Sequence, residues 1–182
     1  MVGMRNDVPT MKLAGRVSAN HGSRHVLPRP IEVSELSRIA ARFRSVMDSK
    51  IQGPVHLISV AKSGYPIGTA AAMELLRSNA HRQVYLSCVD PFAPLNTFDD
   101  FPNYSCFSTI LVDNSIKTGE TAVQSVKILH DAGIGIDFLV KLVEYDDVLE
   151  NEAFSYILGV SPSVEIVSLY SEEEIKKRIA GS

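Results

Sequence analysis

Five short apolar runs, at 55–60, 84–89, 109–112, 136–143 and 164–169, constrain this chain more than any other feature of its sequence. Each has the length and the Val, Ile and Leu content of a strand. The stretches around them have helical character. Ser34 is a suitable cap for a helix to about 48, in which Leu36, Ile39, Ala40, Phe43 and Met47 recur at helical spacing. Gly53-Pro54 then breaks the chain. A turn at 61–66 leads into an Ala-rich helix over 67–78, whose small side chains let it lie close on a sheet. An amphipathic helix is expected over 120–131, closed by Gly133. Ser171 and Glu174 form a capping box for a last helix to about 179. Strands alternating with helices imply an α/β fold, a mainly parallel sheet with helices on both faces. In such sheets ligands bind beyond the carboxyl ends of the strands. Chemistry is therefore to be sought in two strand-end turns, 61–66 and 113–121.

Composition narrows the function classes. At 182 residues the chain fits one main domain with a core of its own. That domain is expected over 31–182, preceded by an irregular arm or small hood over 1–30. The arm holds Arg5, Lys12, Arg16, Arg24 and Arg29 against Asp7, which suits either a solvated tail or an anion-facing cover. A formal net charge of -3 provides no global field for nucleic acid or an anionic membrane, and neither is expected as a partner. No apolar run approaches the roughly 20 residues of a membrane span, and 1–30 lacks the apolar stretch of a signal peptide. Cys88 and Cys106 fit reduced thiols, so a cytoplasmic location is expected. The five histidines show no ligand spacing, and no all-protein metal site is expected.

The segment Ile110-Leu111-Val112-Asp113-Asn114-Ser115-Ile116-Lys117-Thr118-Gly119-Glu120-Thr121 carries the most chemistry. An apolar strand delivers a carboxylate to its exposed end, and a Thr-Gly-x-Thr turn opens the next helix. Amides at a helix N-terminus favour a phosphate by about 0.3–2 kcal/mol through the dipole alone. Thr118 and Thr121 add hydroxyl donors, and Gly119 lets the backbone come close. Asp113, an acceptor, suits the vicinal hydroxyls of a sugar. Together they describe a pentose 5-phosphate site, although Asp113 and Thr118 acting only as helix caps also fits the residues. The chain has no Walker A lysine pattern and no Gly-x-Gly-x-x-Gly, which argues against nucleoside triphosphates and dinucleotides.

This stretch resembles the phosphoribosyl pyrophosphate (PRPP) signature of type I phosphoribosyltransferases. The order of elements from about 31 to 180 is similar to the orotate phosphoribosyltransferase branch, with Ala61-x-x-Gly64-x-Pro66 like its first loop. The resemblance implies transfer of ribose 5-phosphate from PRPP to a nitrogenous base, orotate-like or another pyrimidine, with release of pyrophosphate. It implies Mg²⁺ carried on substrate oxygens, and a homodimer. It assigns catalytic roles to Asp113, Asn114 and Lys62. Ala61, Lys62, Ser63 and Gly64 would hold pyrophosphate. Asp113 and Asn114 would hold the ribose, and Ser115, Ile116, Lys117, Thr118, Gly119, Glu120 and Thr121 its phosphate.

Three departures from the pattern stand out. Asn114 replaces the second acidic residue of the signature. Lys117 stands where purine-using relatives have a catalytic Asp, which argues against hypoxanthine or guanine. The stretch 83–116, where the orotate branch has a basic mobile loop, contains no Lys or Arg and four Asp residues: Asp90, Asp99, Asp100 and Asp113. Mg²⁺ and Lys62, with Arg82 or a partner subunit, would have to neutralise pyrophosphate. The alternative is a non-catalytic domain that senses PRPP or a nucleotide.

Overall fold

The computed structural model describes residues 33–51, 53–61, 64–92, 106–114, 120–144 and 148–180. The chain enters through α1 (Val33–Met47), whose Ala40, Phe43 and Met47 are buried as their spacing requires. Next come β1 (Val55–Val60), α2 (Gly64–Ser78) and β2 (Val84–Val89). Gly53, at φ 76°, makes the turn into β1 in the left-handed region that glycine occupies without penalty. β3 (Ser108–Asp113), α3 (Glu120–Asp131) and β4 (Phe138–Glu144) follow, and Gly133 at φ 74° ends α3 as expected. α4 (Val148–Val160), β5 (Glu165–Ser171) and α5 (Glu172–Ala180) complete the order.

Two element starts differ from expectation by two residues or more, and one element was not expected. α2 begins at Gly64 rather than 67, taking Tyr65 and Pro66 into its first turn. Proline is tolerated there because the first amides of a helix have no partner to lose. β4 begins at Phe138 rather than 136, because Asp137 is occupied with the start of β3. Its amide donates to the Thr109 carbonyl at 2.9 Å, and its Oδ2 accepts from the Thr109 amide at 2.8 Å. α4 was not expected at all. The arm or hood proposed for 1–30 lies outside the described residues.

All pairings are parallel, in the order β2-β1-β3-β4-β5. One core lies between the sheet and α1, α2 and α5, with Leu57, Ile110, Val112 and Val140 against Phe43, Met47, Ile67 and Leu75. The other lies under α3 and α4, with Ile58, Val60, Leu111 and Leu139 against Val126, Leu129 and Ile157. Each such side chain taken from water contributes about 1.5–3 kcal/mol. This is the expected α/β class.

The strand order sets the location of the site. From β1 the chain crosses by α2 to β2 on one side, then returns to β3 on the other side of β1. α2 and α3 consequently cover opposite faces. Helices departing to opposite faces leave a crevice beyond the carboxyl ends of β1 and β3, the switch point of an open α/β sheet.

Candidate functional site

The two turns singled out by sequence follow β1 and β3, the strands that flank this switch point. Gly64 joins them. A Cβ placed on it would collide with the Val112 carbonyl oxygen and lie 3.5 Å from the Asp113 Cα. The first turn of α2 therefore lies directly on the tip of β3, an approach only glycine permits. Ala61 is half-buried, and its amide donates to the Val89 carbonyl at 2.9 Å, so it anchors the end of β1 to the sheet. Lys62 and Ser63 lie outside the described residues.

At the tip of β3, Asp113 is only 2% exposed, not presented to solvent as the sequence suggested. The reason is local. Its Oδ1 turns back to accept the Asn114 amide at 2.7 Å, which draws the carboxyl beneath the strand end. Asn114 is half-buried, and its carbonyl accepts the Leu142 amide at 3.2 Å, which extends the β3–β4 pairing past Asp113. Asn114 is thus the more open of the pair. Ser115, Ile116, Lys117, Thr118 and Gly119 lie outside the described residues. Glu120 is exposed in the first turn of α3. Thr121 is half-buried, and its carbonyl accepts the Ser125 hydroxyl at 2.8 Å.

The structure thus brings Ala61, Gly64, Asp113 and Asn114 to one edge of the sheet. It removes Arg82 from it. That side chain precedes β2, at the amino end of the strands, and pairs with Asp48 at 3.1 Å. Within one chain it cannot neutralise a ligand at the carboxyl end. Tyr65 and Phe92 are exposed. His56 is buried on β1, with Nε2 2.7 Å from the Ser87 hydroxyl, and desolvation lowers its pKa from 6.5 to about 4. Cys88 and Cys106 are thiols outside any disulfide, and both are exposed. The residue that sequence reading passed over is Lys141, 1% exposed and in register with Asp113. A lone lysine inside an apolar run was the available signal.

No family model matches the sequence, and no curated protein is found as a relative. Solved structures do match. An orotate phosphoribosyltransferase from Aeropyrum pernix aligns with a TM-score of 0.57 at 19% identity, over 83% of this chain and 79% of that one. A phosphoribosyltransferase from Corynebacterium diphtheriae aligns with a TM-score of 0.57 at 15% identity, over 79% and 83%. An adenine phosphoribosyltransferase from Trypanosoma brucei, in complex with AMP, pyrophosphate and ribose-5-phosphate, aligns with a TM-score of 0.55 at 16% identity, over 80% and 73%. This chain has the fold that those proteins share.

Proposed function

We propose that this chain transfers ribose 5-phosphate from PRPP to a small nitrogenous base, orotate-like or another pyrimidine, and releases pyrophosphate. The observation that carries the reading is the contact between Gly64 and the Val112 carbonyl beside Asp113. It sets the turn after β1 against the strand tip before the Thr-Gly-x-Thr segment. A substrate with a sugar between two phosphate groups needs two such neighbouring binding turns. In this reading Asp113 and Asn114 bind the ribose hydroxyls, and 115–121 bind the 5-phosphate through amides and the hydroxyls of Thr118 and Thr121. Lys62, Ser63 and Gly64, in the loop begun by Ala61, receive the pyrophosphate.

The anomeric carbon–oxygen bond breaks with its electron pair leaving on pyrophosphate. A base nitrogen forms the new bond to that carbon and gives up its proton to the departing pyrophosphate or to water. The ribose gains positive character on the way, which a nearby carboxylate stabilises. Asn114 supplies no charge, so Asp113 carries that role alone. Among the described residues no group of three His, Cys, Asp or Glu is placed to hold a metal ion. In this reading Mg²⁺ would arrive on substrate oxygens, where it would screen the leaving group. A homodimer in the cytoplasm belongs to the same proposal, and sedimentation tests the dimer.

A second reading, a PRPP- or nucleotide-sensing domain without turnover, is favoured by the lack of Lys and Arg over 83–116. Calorimetry with PRPP and Mg²⁺, followed by a pyrophosphate-release assay over a panel of bases, separates the two. The transferase reading expects binding and release with at least one base. Binding without release on every base supports the sensor, and no binding rejects both. The variant Thr118→Ala/Thr121→Ala is expected to lose ribose 5-phosphate binding with its thermal midpoint almost unchanged. Unaltered affinity would overturn the phosphate assignment of 115–121.

A further inference from the structure

Among the described residues eight large apolar side chains are exposed, and five of them, Tyr65, Met73, Leu76, Tyr85 and Leu86, belong to α2 and β2. Scattered singly they would need no explanation, but these adjoin one another. On α2, Tyr65, Thr69, Met73 and Leu76 recur at intervals of four, four and three residues, which sets them along one flank of the helix. Met73 is 61% exposed and Tyr65 50%. Glu74 turns the other way and pairs with Arg44 of α1 at 3.2 Å, so α1 occupies the opposite flank. The stripe continues onto the sheet, since a Cβ placed on Gly68 of α2 would lie 3.8 Å from Leu86 Cδ1.

β2 ends the sheet, and among the described residues no strand pairs with its outer edge. An open edge is a template for another chain, and proteins ordinarily guard it with a lysine, a proline or a bulge. β2 reads Val-Tyr-Leu-Ser-Cys-Val, with no charge and no proline. Its register with β1 runs unbroken from Val84 to Val89, so no bulge turns the edge away. The strand carries none of these guards.

The charge pattern selects what covers it. α2 runs against the strands, so Arg77 in its last turn lies at the amino end of β2, while Asp90 follows the carboxyl end. The Arg77 side chain is 80% exposed, with Glu74 3.6 Å away. A second copy laid antiparallel brings Arg77 of each chain toward Asp90 of the other, and the uncharged strands between them meet without repulsion. The stripe matches itself in the same arrangement. Tyr65 falls opposite the partner's Leu76, and Thr69 opposite the partner's Met73.

We propose that β2 and the outer flank of α2 are the surface through which two copies of this chain associate, with their β2 strands antiparallel about Leu86. A twofold axis beside Leu86 keeps both α2 helices on one face of the joined sheet and sets the two Leu86 residues opposite each other. The inference rests on the homodimer of the proposed function and names its face; it does not depend on the transfer chemistry.

Sedimentation equilibrium of the full chain at tens of micromolar is expected to give twice the 19.9 kDa of one chain. Met73→Glu and Leu86→Lys are each expected to raise the dimer dissociation constant about 30-fold or more, as loss of a central interface side chain does. Far-ultraviolet circular dichroism should stay unchanged, above all for Met73, which stands mostly in water in the single chain. In a Cys88→Ala/Cys106→Ala background, Leu86→Cys should form a disulfide between copies under mild oxidation, because paired residues of antiparallel strands lie within disulfide reach. Leu158→Cys on α4 should not. A parent that sediments as a single chain overturns the proposal. A dimer of unaltered affinity in Met73→Glu and Leu86→Lys, or no cross-link through Leu86→Cys, overturns this face while the dimer itself stands. Pyrophosphate release is read apart from both, so failure of the transfer chemistry is a distinct result.

Discussion

A single methyl group at position 64 would drive the first turn of α2 into the Val112 carbonyl. Backbone cannot move aside as a flexible side chain can, so α2 would have to lift from the tip of β3. Gly64→Ala is expected to destabilise the chain by about 1–3 kcal/mol, as overpacking does, and, on the proposed transferase reading, to abolish PRPP binding. An unchanged thermal midpoint would show that the close approach is not obligatory. Ser59 behaves in the opposite sense. Its hydroxyl is buried beneath Gly68 with no hydrogen-bond partner among the described residues. Ser59→Ala removes a polar atom that lost its water and gained nothing, so urea unfolding should show stability unchanged or raised by up to about 1 kcal/mol. A loss would mean that the hydroxyl has a partner in solution. Neither position announces its role in sequence. Gly64 is legible as a turn residue, but the strand it touches is 48 positions away by number and adjacent only in the fold.

At the scale of elements, the capping box of α5 forms as its spacing implies. The Ser171 amide donates to Glu174 Oε2 at 2.8 Å, and the Glu174 amide donates to the Ser171 hydroxyl at 3.2 Å. Ser171→Ala should cost about 1 kcal/mol in chemical denaturation, and a cost near zero would mean that tertiary contacts alone hold the helix. α1, α3 and the five strands were legible for similar reasons, since period and caps are local. α4 was not. Ala153 and Ile157 are buried on one side of it, while Tyr156 and Leu158 are exposed, so apolar residues occur around the helix and blur its period. Only packing against the sheet and α3 separates the two sides.

Across the whole molecule, His56 ties stability to pH. Its pKa is about 4 in the folded chain against an ordinary 6.5 for a solvated imidazole, because burial disfavours the imidazolium. Between those values the unfolded chain binds the extra proton, so stability rises with pH there. The full contribution is present above 6.5 and is lost as pH falls toward 4, amounting to about 3 kcal/mol at most. His56→Gln should flatten the dependence of the unfolding midpoint over that window. A variant that loses stability as steeply as the parent would show that other groups control the acid limb.

The alternation of apolar runs with amphipathic stretches determined, by itself, that this chain builds a parallel sheet between two helical layers. It also singled out the two strand-end turns, because period, caps and strand-end turns are properties of neighbours in the chain. Tertiary structure alone decided that β1 and β3 lie side by side and that Gly64 presses on the tip of β3. It also decided that Asp113 withdraws from water and that Lys141 lies in register beside it. Those outcomes depend on which strands pair and in what register. Register is set by the sum of many packing contacts from distant parts of the chain, and no local pattern contains that sum.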